Sequence, residues 1–228
     1  MAMGARMAMI TRIPMTIDPV LILAQWLAPT YPVGAYTYSH GLEWAVQTGM
    51  VQDADSFRDW LSDVVEHGAG RNDVILLTAA YEATDEDSLQ GLDEFARALA
   101  PSAERLLETD QQGAAFAQTT ATVFKQDLSA LTYPVAVGRA ASLQNLPLPE
   151  TARLFLHAFA ANLTSAAIRL VPLGQTAGQQ ALHDLAPLCQ SVSDQAITEP
   201  LDAIAASAFA TDVASMNHET QYSRLFRS

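Results

Sequence analysis

The sequence predicts an all-α fold, a single-domain bundle of about nine or ten helices around a buried central helix at about residues 150–170. Two observations support this fold class. Apolar residues recur at spacings of three and four, the period of an amphipathic helix, and no stretch alternates with the period of two that a half-buried strand requires. The clearest helical stripe lies within residues 53–67 and consists of Phe57, Trp60, Leu61, Val64 and Val65.

The predicted central helix follows Pro149, which suits a first helical turn because its missing N–H would have no partner there. Between Arg153 and Arg169 no residue carries a fixed charge, and apolar or small residues fall on nearly every face. A helix of this kind is typically surrounded by other helices. The apolar run is shorter than the ~20 residues of a membrane span, and His157 and Asn162 interrupt it. We therefore expect a buried helix of a soluble domain.

A sharp turn is predicted after this helix, at residues 171–174. Pro172 removes a helical hydrogen bond, and Gly174 accepts a positive φ that other residues resist. Gly174 and Gly178 also permit close backbone approach, which suits tight helix packing and a binding surface equally. The pattern favours a corner between two helices, the second of which continues to Val192 or beyond with a kink at Pro187.

The other helices are predicted from caps, apolar spacing and breakers. Asp18-Pro19 combines an N-cap with proline at the first helical position. The predicted ranges are 20–27, 39–48, 53–67, 72–83, 89–99, 102–125, 133–143 and 201–208. At the level of organisation, we expect a disordered extension over residues 1–17, a helical domain over 18–208 and a partner-binding tail over 209–228.

Composition excludes several classes of function. Lys and Arg number 12 against 25 Asp and Glu, a net charge of −13, so the sequence lacks the basic surface that a nucleic-acid binder needs. Lys125 is the only lysine, and no glycine-rich run ends in it, which excludes a P-loop nucleotide hydrolase. The single cysteine, Cys189, allows neither an internal disulfide nor a CxxC metal site, and its apolar neighbours favour a buried, inert thiol. We expect a cytoplasmic protein without a resident cofactor or metal.

Residue patterns that would indicate catalysis or metal binding are few. No two of the five histidines have the i, i+4 spacing of a helical metal site. His40 and Glu43 lie at i, i+3 and share a helical face, which is a weak signal for a metal site. A helical enzyme whose site near His40 and Glu43 is assembled only by the fold stays open as an alternative. The lack of any GxSxG or HExxH pattern favours a protein that binds other proteins.

Two segments are rich in aromatic residues. Residues 31–43, Tyr-Pro-Val-Gly-Ala-Tyr-Thr-Tyr-Ser-His-Gly-Leu-Glu, place three tyrosines within eight positions, as anchors of a loop or as a recognition surface. Residues 218–228 carry two arginines and two aromatic residues at the end of an acidic chain. Because such residues are frequent at interface hot spots, this segment is a candidate partner-binding element. Docking onto its own domain is the alternative.

Three segments of the chain resemble the urease accessory protein UreF family: residues 31–43, residues 167–179 (Ala-Ile-Arg-Leu-Val-Pro-Leu-Gly-Gln-Thr-Ala-Gly-Gln) and residues 218–228. They occur in the family's order, with Tyr133-Pro134-Val135 between them, and the resemblance covers the chain from Val20 onward. Residues 1–17 have no counterpart in the family.

The resemblance implies an all-helical, dimer-forming cytoplasmic chaperone without catalytic activity. It also implies a complex with UreD (also called UreH) and the GTPase UreG, which helps to deliver nickel to urease apoprotein at the expense of GTP hydrolysed by UreG. Modulation of that GTPase and a path for nickel between subunits are further hypotheses for this chain.

Carried over by position, the C-terminal segment would contact UreD and help to recruit UreG. Its candidate partner-binding residues are His218, Glu219, Tyr222, Arg224, Leu225, Phe226 and Arg227. The other family positions would form either surface or scaffold, and the sequence leaves both open. They are Tyr31, Pro32, Gly34, Tyr36, Tyr38, Ser39, His40, Gly41, Glu43, Arg169, Pro172, Gly174, Gln175 and Gly178. We expect Arg169 to be structural, because a cation at a helix end meets the negative pole of the helix.

Overall fold

The computed structural model describes residues 17–205 and 207–228, and within these ranges it contains helices and no strand. The α-helices, in chain order, are α1 (Pro19–Trp26), α2 (Leu42–Gln47), α3 (Ala54–Glu66), α4 (Ala69–Glu82), α5 (Glu86–Ala98), α6 (Ala103–Phe124), α7 (Tyr133–Leu143), α8 (Leu148–Leu170), α9 (Gly174–Ala196) and α10 (Phe209–His218). Short 3-10 helices span Ala35–Thr37 and Leu201–Ala203. The predicted all-α class is confirmed. The extension predicted for residues 1–17 falls, except for Ile17, outside the described ranges.

Capping side chains set the starts of several helices. The carboxylate of Asp18 accepts the amide of Val20 at 2.9 Å, as its position before proline predicts. Asp53 and Ser56 form a reciprocal capping box at the start of α3, and the hydroxyl of Ser102 caps α6. A cap of this type contributes about 1 kcal/mol.

Helix α8 lies at the centre of the bundle and contacts α1, α2, α3, α4, α7 and α9. Its inward side chains, among them Phe155, Leu156 and Leu163, are buried. The predicted buried central helix is thus observed, and its His157 and Ser165 are exposed on the side where a cavity lies between α8 and α1. The uncharged surface of α8 therefore serves the core on one side and lines this cavity on the other.

Three helices begin three residues away from their predicted positions, and one of them is α5, which starts at Glu86 rather than residue 89. Helix α2 starts at Leu42 rather than near Ser39, because His40 and Gly41 have φ values of 54° and 76°, a left-handed conformation that interrupts a right-handed helix. A Cβ on Gly41 would lie 2.5 Å from the backbone nitrogen of Ser215, so this turn also allows α10 to approach closely. Helix α4 starts at Ala69 rather than residue 72, three residues earlier than predicted.

The helix predicted for residues 201–208 is wrong. Among the residues of this range that the structure describes, only the 3-10 turn Leu201–Ala203 is helical, and the next helix, α10, begins at Phe209. The carbonyl oxygens of Ala203 and Ala205 instead accept hydrogen bonds from the side chains of Arg71 and Asn72 on α4. These two hydrogen bonds hold the backbone against α4 in a non-helical conformation. Helix α10 occupies the first half of the predicted tail and packs on α2 and α6.

Helix α9 contains both Pro187 and the single cysteine. Cys189 is buried, and burial raises the pKa of its thiol to about 11, which agrees with the predicted inert thiol. No helix in the described ranges combines the length and the apolar composition needed to cross a membrane.

We expect Gly113→Ala to destabilise the protein. A Cβ at this position of α6 would lie 1.9 Å from the carbonyl oxygen of Leu131, a backbone atom that cannot rotate away. The expected loss in the free energy of unfolding is about 1–3 kcal/mol, the usual cost of overpacking.

Gly91→Ala is the matched control, because a Cβ there has nothing within 4 Å and alanine is favoured over glycine within a helix by about 1 kcal/mol. Urea unfolding followed by circular dichroism measures both variants. Equal stability of the two would contradict the close approach at Gly113.

Candidate functional site

The end of the chain lies against the first of the family-like segments. The amide of Ser39 donates to the carbonyl oxygen of Ser228 at 2.8 Å, and the amide of Arg227 donates to the carbonyl oxygen of Thr37 at 2.8 Å. We call residues 218–228 the docked C-terminal segment. Of the two readings that the sequence left open, docking onto the same domain is therefore observed.

Glu43, in the first turn of α2, anchors this segment. Its side chain is buried, and its carboxylate accepts the amides of Leu225 at 2.7 Å and Phe226 at 2.9 Å. Hydrogen bonds to an ionised acceptor are roughly twice as strong as neutral ones. A buried carboxylate without donors would be costly, so the position of Glu43 depends on the docked segment.

His218, the last residue of α10, joins the same network. Its side chain is fully buried, with Nε2 at 3.3 Å from a carboxylate oxygen of Glu43 and Nδ1 at 2.7 Å from one of Glu104. Because a carboxylate only accepts, both contacts are hydrogen bonds when both ring nitrogens carry a proton. The imidazolium form then bridges carboxylates from two different helices, α2 and α6.

Helix α6 supplies the other side of the docking site. Glu104 forms an ion pair with Arg224 at 2.5 Å. One turn further on, Glu108 accepts the hydroxyl of Ser228 at 3.0 Å. The spacing of four places both carboxylates on one helical face, so α6 holds the docked segment at two points.

Gln111 continues the same face of α6. Its side-chain oxygen accepts the hydroxyl of Tyr38 at 2.8 Å and a guanidinium N–H of Arg227 at 3.0 Å. This single amide therefore ties the tyrosine-rich segment to the docked segment.

Arg169, in the last turn of α8, links the remaining family-like segment to the other two. Its guanidinium donates to the carbonyl oxygen of Tyr36 at 2.7 Å and lies over the ring of Phe226, 4.2 Å from its centroid. Cation–π contacts at exposed sites contribute about 0.5–1 kcal/mol. Residues from all three segments are thus brought together, although they are far apart in sequence.

Beneath the docked segment lies a buried cluster of His40, Arg105 and Glu108. Nε2 of His40 is 2.9 Å from Glu108 and 2.7 Å from Arg105, and Arg105 pairs directly with Glu108. Burial and the charge of Arg105 lower the pKa of His40, so its ring is neutral at pH 7. Burial alone would raise the pKa of Glu108, but the charge of Arg105 and the contacts with His40 together outweigh burial and lower the pKa to about 2. The cluster is an arginine–glutamate ion pair beside a neutral imidazole.

His40 and Glu43, which the sequence offered as a shared metal or enzyme site, face different partners. His40 faces Glu108 and Arg105, whereas Glu43 faces the docked segment. Within the described ranges no group of three or more His, Cys, Asp or Glu side chains is arranged to hold a metal ion.

The candidate partner-binding residues divide into two sets. His218 and Phe226 are buried, and Glu219 accepts the amide of Ala103 at 2.7 Å at the start of α6. These three hold the docked segment against the bundle. The second set has side chains that are exposed to solvent and consists of Tyr222, Arg224, Leu225 and Arg227.

The other family positions contribute both scaffold and surface. The buried positions are Tyr31, Tyr38, Ser39, His40, Gly41, Glu43 and Gly178, and Gly178 packs against Ile168 of α8. The exposed positions are Pro32, Tyr36, Arg169, Pro172, Gly174 and Gln175. Gly34 is half-buried and has a φ of 75° before the 3-10 turn.

Comparison with known proteins gives a consistent family. The UreF family model matches residues 51–186. The chain is 52% identical to urease accessory protein UreF of Ruegeria pomeroyi over 209 residues, which cover 92% of this chain and 96% of the relative. The chain belongs to the UreF family. The corresponding protein of Roseobacter denitrificans is 52% identical, with 96% of this chain and 98% of the relative covered, and that of Cereibacter sphaeroides strain KD131 is 53% identical, with 92% and 98% covered.

In this UreF family member, the residues of α6 that receive the C-terminal segment were not among the predicted site residues. Glu104, Glu108 and Gln111 lie at i, i+4 and i+7 on one face of α6. Polar side chains at helical spacing, of which Glu108 is buried among core residues, are the signal that could have found them. That signal alone would not have identified their partner.

We expect Glu43→Gln to loosen the docked C-terminal segment without unfolding the bundle. Glutamine keeps the size of the side chain but removes the charge that accepts the two amides. Hydrogen bonds to a charged group contribute about 1.5–3 kcal/mol, so we expect the segment to open roughly 10- to 100-fold more often.

The initial rate of trypsin cleavage after Arg224, followed by mass spectrometry, measures this opening. Glu82→Gln, at an exposed glutamate at the end of α4, is the control and should be cleaved at the wild-type rate. If Glu43→Gln is also cleaved at that rate, Glu43 does not hold the segment.

Proposed function

We propose that this protein is a non-catalytic subunit of a urease maturation complex. In this proposal it binds UreD and the GTPase UreG, and the complex inserts nickel into urease apoprotein. Membership of the UreF family supports the proposal, because the relatives carry the name urease accessory protein. The observation that carries it is the docked C-terminal segment, which is held by its polar groups while several apolar side chains face solvent.

The UreD-binding surface of this proposal consists of α10 and the docked segment. Phe209, Val213 and Met216 are exposed and stand at i, i+4 and i+7, so they form one stripe along α10. Tyr222 and Leu225 are exposed further along the chain. Apolar side chains clustered on a surface mark interaction sites, and burial of apolar area contributes about 25 cal/mol per Å².

The exposed arginines of the docked segment extend this surface toward UreG. Arg224 and Arg227 are cations on a protein with a net charge of −13, and they are our candidates for recruiting UreG once UreD is bound. An arginine also stabilises the charge that develops in phosphoryl transfer, so modulation of the UreG GTPase belongs to the proposal.

A homodimer through α1 is a further part of the proposal. Ile17, Val20, Leu21 and Ala24 are exposed at i, i+3, i+4 and i+7, while the opposite face of α1 is buried in the core. A helix with apolar side chains on both faces is typically covered on both. A second copy of the chain would cover this stripe with the same stripe, as a two-fold interface requires.

Nickel is the cargo of the complex in this proposal, and this chain contributes contacts rather than a resident metal site. The proposed compartment is the cytoplasm. A single buried thiol suits its reducing conditions.

We expect Tyr222→Ala and Leu225→Ala each to weaken binding to UreD by about tenfold or more, as is usual for interface hot spots. Neither side chain takes part in docking the segment, so the melting temperature should not change. Isothermal titration calorimetry of the full-length protein with UreD measures the affinity.

Val123→Ala, at an exposed valine near the other end of α6, is the matched control. Wild-type affinity in the Tyr222→Ala, Leu225→Ala double variant would contradict the assigned surface. If the wild-type protein formed no complex with UreD at all, the proposed function itself would fail.

We expect Leu21→Asp to convert the homodimer into a monomer, because burial of an unpaired carboxylate at the interface is strongly unfavourable. Light scattering after size exclusion measures the mass, and Val123→Asp is the control for an added surface charge. A monomeric wild-type protein, or a Leu21→Asp variant that remains dimeric, would contradict the α1 interface.

A further inference from the structure

A cavity of about 380 Å³ lies between α1, α4, α6, α7 and α8. This volume falls within the range of about 300–1,000 Å³ that is usual for small-molecule sites. Its wall is largely aromatic and aliphatic, with Leu23 and Trp26 from α1, Phe155 and Phe159 from α8, and Tyr133 from α7. The cavity can therefore hold the apolar body of an organic molecule.

Most polar side chains of the wall already have partners. His40 and Arg105 contact Glu108, and the side-chain amide of Asn162 donates to the carbonyl oxygen of Ala35 at 2.9 Å. The hydrogen-bonding groups of these side chains are therefore satisfied within the protein.

Asp73 differs from these residues. Its carboxyl group borders the cavity and forms neither a hydrogen bond nor an ion pair with another residue of the described ranges. Burial raises its pKa to about 7; the charge of Arg105 opposes this shift, but Arg105 itself pairs directly with Glu108. Asp73 and Tyr133 both line the cavity.

The carboxyl group of Asp73 therefore borders the cavity without a cation from the described residues paired to it. A bare divalent metal ion takes several oxygen or nitrogen ligands, whereas an ammonium group needs a carboxylate and is also attracted to aromatic faces. The half-buried ring of Tyr133 supplies such a face beside the apolar walls. An organic ammonium ion therefore matches the cavity in charge, shape and polarity.

We propose that this cavity binds a small organic cation, an ammonium group on an aromatic or branched aliphatic body, with the carboxylate of Asp73 as its counter-ion. The body lies between α1 and α8, and the ammonium group lies toward α4. This inference is independent of the proposed role in urease maturation, because it uses neither the docked segment nor the exposed surface of α10.

The test uses 2-phenylethylamine as the probe and 2-phenylethanol as its neutral counterpart, with the full-length protein and saturation-transfer NMR titrations. We expect the amine to saturate one site with a dissociation constant on the order of 0.1–1 mM, as its size allows. The alcohol should bind with an affinity at least about tenfold lower than that of the amine. Asp73→Asn should reduce the affinity for the amine to that for the alcohol, and Asp127→Asn, at an exposed acid, should leave it unchanged.

Asp73→Asn removes an unpaired, desolvated charge, so we expect it to fold with an unchanged or higher melting temperature. Ala158→Leu is a second variant that places additional atoms in the cavity from α8 and should abolish binding of both probes. The proposal would be overturned by the lack of saturable amine binding, by equal affinities for the amine and the alcohol, or by wild-type amine affinity in both variants.

Discussion

The carboxylate of Glu43 is a buried negative charge whose partners come from the other end of the chain. It accepts the amides of Leu225 and Phe226, and the ring of His218 lies beside it. Leaving this carboxylate without donors would be costly, so the bundle and the C-terminal segment stabilise each other. The orientation of α10, and of the apolar side chains that it exposes, follows from this contact. The surface that we propose for binding UreD therefore depends on the buried carboxylate of Glu43 in α2.

The docking site separates polar from apolar groups. The carboxylates of Glu104 and Glu108 face the docked segment, whereas Tyr222 and Leu225 face solvent. Buried ion pairs add little net stability because desolvation offsets much of their attraction, and breaking one is strongly destabilising. We therefore interpret the network as a device that fixes the position of the segment. Hydrophobic burial in the bundle supplies most of the folding free energy.

Local features of the sequence were sufficient to predict most helices. Asp18-Pro19 and the stripe of residues 53–67 act within a few residues, so α1 and α3 appear where they were expected. Contacts between residues far apart in sequence determine the parts of the structure that local features did not predict. The helix predicted for residues 201–208 does not form because α4 binds its carbonyl oxygens. The docking of residues 218–228 on Glu104 and Glu108 joins residues that lie 120 positions apart in the sequence, and no local pattern contains that information.

Amide hydrogen exchange at Leu225 and Phe226, resolved by NMR on the full-length protein, tests the docking through Glu43 most directly. Protection from exchange reports the free energy of local opening. The account predicts slow exchange at both amides in the wild-type protein, fast exchange at the neighbouring exposed residue Ser223, and loss of protection at both in Glu43→Gln. Exchange of Leu225 and Phe226 at the rate of an unstructured peptide in the wild-type protein would contradict it.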